Sequence, residues 1–292
     1  MRRTGIFFHP KERRGITILR RIVVIVAFAV VILWSHGMVA AAQTGDMLAA
    51  ARSIKIYTED FAPFNYMSDT GLTGAGTDVV REMAARLGHD GKFEVLPWKR
   101  ALQIVDNEPG TAVFSMVRTS EREDEYKWVG PIIVTRGWLY KMTDSNLEIR
   151  DLSDARKVAA IGVQAGGAAE RMLREQGFKN LAALYTPGNA LQLLASDRID
   201  LWEASDLVLE HQRRKFGIDR SEVEPVIGLG IYELYLAFSL QTPDFIVDQW
   251  RMVLNDLRSD GTFAEIGRKY GVSMLHEGAE VPSGEEFNLM TR

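Results

Sequence analysis

Arg122 stands in a run of five charged residues, Glu121-Arg122-Glu123-Asp124-Glu125. Its guanidinium offers a planar fork of donors suited to grip a carboxylate. In such a turn it can equally pair with the acids beside it at the surface. Two aromatic residues, Phe61 in Phe61-Ala62-Pro63-Phe64 and Trp98 in Pro97-Trp98-Lys99-Arg100-Ala101, can clasp a ligand or fill a core. Glu203 and Asp206 are acids that can serve a ligand, or can equally face solvent or cap a helix. Arg100 and Arg118 add cations for a second negative charge, or are solvated and salt-bridged. Catalytic chemistry has less support. Of the five histidines, His9 and His36 lie near the N-terminus, His89 in a turn, His211 on a polar helix and His276 in the tail. There is no cysteine, no metal-ligand cluster, no G-x-S-x-G elbow and no phosphate loop. Only Glu59 and Glu203 stand as acid-base candidates, and no cofactor or metal is implied.

The elements that must position these residues alternate between short strands and helices, which indicates α/β with largely parallel sheets. Strands are expected at 53–58, 92–96, 111–116, 157–163, 198–202 and 232–239. Helices are expected at 78–87 behind a Thr77 cap and before Gly88, and at 98–107, 168–176 and 189–196. Thr242-Pro243-Asp244 should open a long helix, with a capping hydroxyl, a proline in the first turn and an acid near the positive end. On it, Ile246, Trp250, Val253, Leu254 and Leu257 share one face. Trp128 in Trp128-Val129-Gly130-Pro131 is expected to be structural.

The N-terminus reads differently. Seven basic residues and one acid precede an apolar run, Ile22 to Trp34, and then the small-residue site Ala40-Ala41-Ala42. This pattern makes 1–42 a secretory signal peptide cleaved before Gln43. The apolar run is shorter than the roughly 20 residues of a spanning helix, although an uncleaved anchor is the alternative. Cleavage takes the charge from 35 basic against 39 acidic groups to 28 against 38, near −10. Such an acidic chain without a basic cluster excludes nucleic acid as an expected partner, and adsorption to an anionic membrane with it.

Thr58 through Phe64 and then Gly74-x-Gly76-Thr77-Asp78-Val79-Val80 resemble the opening of family 3 extracellular solute-binding proteins, the amino-acid-binding components of ABC importers. Ser115 through Arg122 resembles that family's third-strand signature, and Ile161 through Gly167 its second-domain strand and glycine turn. Asp197-Arg198-Ile199-Asp200 is similar to its G-R-x-D segment, with Asp197 in place of glycine. Asp260-Gly261-Thr262 and Lys269-Tyr270-Gly271 resemble its C-terminal helix motif. The resemblance covers about residues 53–272. It implies a type II periplasmic-binding-protein fold, with a ligand cleft between two lobes joined by two crossing segments. Lobe one would be 53–137 with 229–272, lobe two 138–228, and 273–292 a tail.

The resemblance also implies roles. Arg122 matches the arginine that grips a ligand carboxylate, shared with backbone N–H groups around Val117 and the Gly167-Ala168 turn. Phe61 and Trp98 match aromatic positions around the ligand side chain. Two departures stand out. Ala168 replaces the usual hydroxyl residue, and Ser205 sits where the family has an ammonium-binding aspartate, leaving Glu203 or Asp206 to substitute. The implied function is capture of a small carboxylate-bearing solute, with an amino acid as its leading case. The solute would pass to the membrane subunits of an ABC importer from a periplasmic monomer. Two rivals are a cyclohexadienyl-dehydratase-like enzyme on the same scaffold and a ligand sensor acting through a partner protein.

Overall fold

The computed structural model describes residues 49–272 apart from Thr186. The expected signal peptide and C-terminal tail lie outside the described residues. Strand β1 (Lys55–Thr58) buries Ile56, Tyr57 and Thr58. A loop and a small hairpin, β2 (Tyr66–Ser68) and β3 (Gly71–Thr73), lead into helix α1 (Ala75–Leu87). This helix begins three residues before the expected Asp78, and Thr77 is not its cap. The Thr77 hydroxyl instead donates to the Thr73 carbonyl at 3.1 Å. The Phe64 carbonyl takes the cap's place by accepting from Gly76 N (2.8 Å) and Thr77 N (3.3 Å). That close approach needs Gly74, which has φ 122° and where a Cβ would lie 2.4 Å from the Phe64 oxygen.

Strand β4 (Phe93–Val95), helix α2 (Trp98–Asn107) and strand β5 (Thr111–Val117) follow near their expected bounds. Two long strands come as a difference from expectation: β6 (Tyr126–Met142), unforeseen, and β10 (Val223–Ser239), foreseen only from Tyr232. Gly130-Pro131 and Gly137 interrupt the β6 pattern. Pro225, Gly228 and Gly230 interrupt that of β10, where the pairing register shifts at these residues. Proline and glycine inside a strand mark bulges.

Between the long strands lie α3 (Leu152–Ala155), β7 (Ile161–Gln164), α4 (Ala168–Glu175), β8 (Leu181–Leu184), α5 (Ala190–Ala195), β9 (Leu201–Ser205) and α6 (Asp206–Phe216). The strand expected at 198–202 sits three residues later. Residues 197–200 serve the connection instead: Asp197 has φ 52°, and the Asp200 carboxylate accepts from Ala160 N at 2.8 Å. Helices α7 (Asp244–Ser259) and α8 (Thr262–Tyr270) are the last elements among the described residues. Ile246, Trp250, Leu254 and Leu257 of α7 are buried, with Val253 half-buried. The expected Thr242 cap is absent, because Pro243 is the N-cap residue and the buried Thr242 hydroxyl has no partner.

The strand order is β4-β1-β5-β10-β6-β9-β7-β8. The sheet is mixed rather than largely parallel. β1 runs parallel to β4 and β5, and β7 parallel to β8 and β9. Between these two sets β6 and β10 pair antiparallel from Met142/Val223 to Tyr126/Ser239. β10 joins β5 through Leu234–Phe238, and β6 joins β9 through Gly137–Tyr140. The ribbon thus crosses from one α/β lobe to the other. Each lobe has its own core, one around Tyr57, Trp98 and Met116 and one around Leu139, Val163 and Leu201. A third cluster, including Phe64, Ile133, Trp202 and Leu234, lies where they meet. Among the described residues no helix is long and apolar enough to cross a membrane.

The Gly74 contact is testable. Gly74→Ala should cost about 1–3 kcal/mol in urea denaturation. Gly71→Ala, at φ 109° with open space around it, should cost less. Equal losses would assign the effect to backbone conformation alone.

Candidate ligand-binding site

Parallel strands in open α/β sheets present their carboxyl ends to ligands, and here those ends converge. Glu59 follows β1, Val117 ends β5, Gln164 ends β7 and Leu184 ends β8, while Glu203 and Ser205 lie on β9. Trp98 opens α2, and Gly167, Ala168 and Ala169 form the start of α4, which has no side-chain cap. Thr135 and Tyr232 enter from the crossing ribbon. Together with Phe61, Phe64, Ser115, Arg122 and Trp202 these residues enclose a cavity of about 60 Å³. An outer hollow of about 630 Å³ shares Glu59, Phe61, Trp98 and Val208 with it.

Arg122 is not a surface arginine: it is 1% exposed. A tight turn after β5 (Ser120–Arg122) carries it inward, with its N–H donating to the Thr119 carbonyl at 3.1 Å. Its Nη1 donates to the Val117 carbonyl (3.2 Å) and its Nη2 to the Gly166 carbonyl (3.0 Å), whereas the buried Nε has no partner. Burial is the main cause lowering its pKa, yet a guanidinium remains charged in proteins. The surface role in this charged turn belongs to Arg118. It is paired with Glu123 and lies over the rings of Trp128 and Tyr235 at 5.7 and 5.2 Å.

Two carboxyls face the same cavity. Glu59 is 7% exposed, and both its oxygens accept from Gln164 Nε2, at 2.7 and 2.6 Å. Burial pushes its pKa up to about 7; Gln164 and Arg122 pull it down and Asp60 pushes it up. Glu203 is also pushed to about 7 by burial, with the nearby Tyr232 hydroxyl opposing. Ser115 is buried at φ 63° and its hydroxyl has no hydrogen-bond partner, whereas the Tyr232 hydroxyl faces the Glu203 carboxyl. The cavity therefore presents unspent donors and two readily protonated acids among aromatic faces. Such a setting suits a small, polar, charged molecule.

Phe61, Trp98, Val117, Arg122, Gly167, Ala168, Glu203, Glu59 and Ser205 all line this wall. Asp206, Arg100 and Arg118 do not, and those expectations are corrected. The Asp206 carboxylate turns to the Thr135 hydroxyl (2.6 Å) and to Leu207 N (2.9 Å) at the start of α6. Arg100 is exposed and donates to Gln103 Oε1 at 3.0 Å. Ser205 is on the wall, but its hydroxyl caps α6 by accepting from Val208 N at 3.3 Å. Sequence reasoning missed Ser115, Thr135, Gln164, Trp202 and Tyr232. The strand-end rule could have singled out Gln164; Thr135 depended on the unforeseen strand β6, and Tyr232, although inside an expected strand, on the pairing of β10 with it.

Two α/β lobes, a crossing ribbon and a cavity at the strand ends between them define a type II periplasmic binding protein fold. The chain belongs to the bacterial extracellular solute-binding proteins, family 3, whose model matches residues 54–273. It is 24% identical over 239 residues to the L-cystine-binding protein TcyA of Bacillus subtilis (strain 168), covering 78% of this chain and 86% of that protein. It is also 24% identical over 237 residues to the probable amino-acid ABC transporter-binding protein of Haemophilus influenzae, covering 77% and 87%. Among solved structures, a histidine kinase sensor domain with similarity to periplasmic binding proteins superposes with a TM-score of 0.69 at 19% identity. That match covers 77% of this chain and 99% of the other.

The titration of Glu203 has a defined sign. Its pKa is raised from 4.5 to about 7 on folding, so the folded chain binds more protons than the unfolded chain in that window. Stability therefore falls as pH rises from 4.5 to about 7 and then levels off. Glu203→Gln removes this penalty. The difference in thermal midpoint, variant minus wild type, should be more positive at about pH 8 than at about pH 4. A difference independent of pH would remove Glu203 from the set of buried titrating groups.

Proposed function

We propose that this protein captures a small carboxylate-bearing solute, in the leading case an α-amino acid, in the cavity around Arg122 and delivers it to the membrane subunits of an ABC importer. The observation that carries this reading is the buried Arg122 guanidinium at the cavity wall, bonded only to neutral carbonyls and with Nε unspent. A ligand carboxylate would supply the missing countercharge through charge-assisted bonds. Glu203, rather than Asp206, is the acceptor for an ammonium group, and Phe61 and Trp98 flank the remainder of the ligand. Capture would proceed by closure of lobe one (53–137 with 229–272) on lobe two (138–228), a hinge motion established for periplasmic binding proteins. In this reading the signal peptide is cleaved after Ala42 and the mature protein acts as a periplasmic monomer.

A second reading, an enzyme on the same scaffold, draws on Glu59 and Glu203. Two carboxyls that titrate near neutrality in a water-poor cavity suit general acid-base chemistry. Turnover of prephenate or arogenate would decide for it.

Truncating one side of a buried charge-assisted pair costs about 2–5 kcal/mol. Arg122→Ala should therefore weaken binding of a stabilising amino acid by at least about 30-fold. The ligand-induced thermal shift should vanish while the unliganded variant still unfolds cooperatively. An unchanged ligand shift would sink the carboxylate assignment.

A further inference from the structure

Side chains two residues apart on a strand share a face of the sheet. On one face, Tyr232 of β10 lies opposite Thr135 of β6, and Gly137 of β6 lies opposite Ser205 of β9. Glu203 is on that face of β9 too, opposite Leu139. A side chain reaching from Tyr232 toward Glu203 must therefore cross β6, and Gly137 is where β6 carries no side chain.

The Tyr232 ring takes this route. A Cβ at Gly137 would lie 2.2 Å from Tyr232 Cζ, 2.5 Å from Cε2 and 2.6 Å from the hydroxyl oxygen. Gly137 has no positive φ that would call for glycine, so the space above it is what the glycine supplies. The hydroxyl at the end of the ring is buried and faces the Glu203 carboxyl. Burial first, and Glu203 after it, raise the Tyr232 pKa well above its ordinary value. The hydroxyl therefore keeps its proton near neutrality and can donate it to a carboxylate.

Glu203 depends on this donor. Among the described residues the Tyr232 hydroxyl is the one group that opposes burial at Glu203. The neighbouring groups are engaged elsewhere. Asp206 is held by the Thr135 hydroxyl and Leu207 N, and the Ser205 hydroxyl caps α6. Tyr140 of β6 is raised chiefly by its own burial. Glu59 and Arg122 lie on the same cavity wall, and Glu59 answers to Gln164, Asp60 and Arg122 rather than to Tyr232. One donor on one carboxylate oxygen does two things. It favours the ionised form, and it fixes the plane of the carboxyl so that the second oxygen is free to accept.

We propose that Tyr232, lying across β6 in the space left by Gly137, is a positioning residue that donates to one Glu203 oxygen and turns the other toward the ammonium group of the bound solute. This inference rests on the amino-acid reading above and can fail separately from it.

The test is calorimetric titration of wild type, Y232F and E203Q with L-glutamine, L-arginine, L-leucine and L-glutamate, which share a head group and differ in side chain. The tightest of the four is then followed with pH. Wild type should bind it more weakly as pH falls below about 7, where Glu203 takes up a proton. E203Q should lose at least about tenfold at about pH 8.5. Y232F should lose about tenfold at about pH 6 and less than about threefold at about pH 8.5, where Glu203 is largely ionised with or without its donor. Binding retained at the higher pH also shows that Y232F folds. Because Glu59 titrates in the same range, the difference between Y232F and wild type carries the assignment, not the wild-type profile. A Y232F loss equal at both pH values, or no loss, makes Tyr232 a wall residue and overturns the proposal alone. E203Q binding as well as wild type overturns Glu203 as the acceptor, and Tyr232 with it, but leaves the carboxylate reading of Arg122. Failure of wild type to bind any of the four overturns the amino-acid reading itself.

Discussion

A cation buried in the interior and hydrogen-bonded to carbonyls rather than to an acid is the constraint around which this molecule is arranged. Removing a guanidinium from water costs several kcal/mol even after relaxation, and Arg122 is 1% exposed. Two hydrogen bonds from a charged donor return about 1.5–3 kcal/mol each. The Val117 and Gly166 carbonyls therefore roughly offset the burial and leave no surplus. They also come from different lobes, so the same side chain that needs a countercharge ties β5 to the turn before α4. Trp98 Nε1 donates to the same Gly166 carbonyl at 3.1 Å, and Gln164 in the same segment holds Glu59. The β7–α4 turn is thus where three contacts between lobes gather.

This placement follows from the sheet. Parallel strands in the two lobes point their carboxyl ends at one another because β6 and β10 cross between them antiparallel. The ribbon is continuous in hydrogen bonding but interrupted in register near Gly228 to Gly230 and at Leu234 to Leu236. Those shifts turn Tyr232 and Leu234 toward the cavity between them. Gly137 has a matching reason: a Cβ there would lie 2.2 Å from Tyr232 Cζ. The ribbon therefore both joins the lobes and furnishes part of the wall.

Local signals in the sequence carried much of this. The helix at 98–107 and the Gly88 stop were readable because their patterns are local: an amphipathic period in one case and a left-handed glycine in the other. Lobe architecture was legible through motifs in order, not through periodicity. The ribbon was not legible over most of its length, since Pro131, Pro225 and four glycines break the alternation that announces a strand. At the site, Arg122, Phe61 and Trp98 could be named because residue type and motif agreed, and Glu203 because it is an acid beside the position where the motif departs. Asp206 was misplaced because a chain position next to an expected acid does not say which way a side chain turns. Here Thr135, across the sheet, holds it away. Gln164 was passed over because an amide at a strand end carries no charge to draw attention.

Local rules of stability are broken at several points along the cavity. Ser115 takes a left-handed conformation that is uncommon for its type, and two polar atoms there lack partners: Ser115 Oγ and Arg122 Nε. Two carboxyls stand where burial opposes their charge. Each of these features lowers the stability of the chain, and a polar, charged occupant would supply partners for the unspent atoms. Backbone strain and unspent hydrogen bonding coincide here with two buried carboxyls at the strand ends between the lobes, and that coincidence makes this cavity the candidate functional site. The same terms tie affinity to closure. Carbonyls that now satisfy Arg122 are neutral, so under the proposed function a ligand carboxylate would displace them with a net gain, whereas a neutral ligand end would not. Recognition of charge and closure of the lobes would in that reading be one process, governed by the buried cation at their junction.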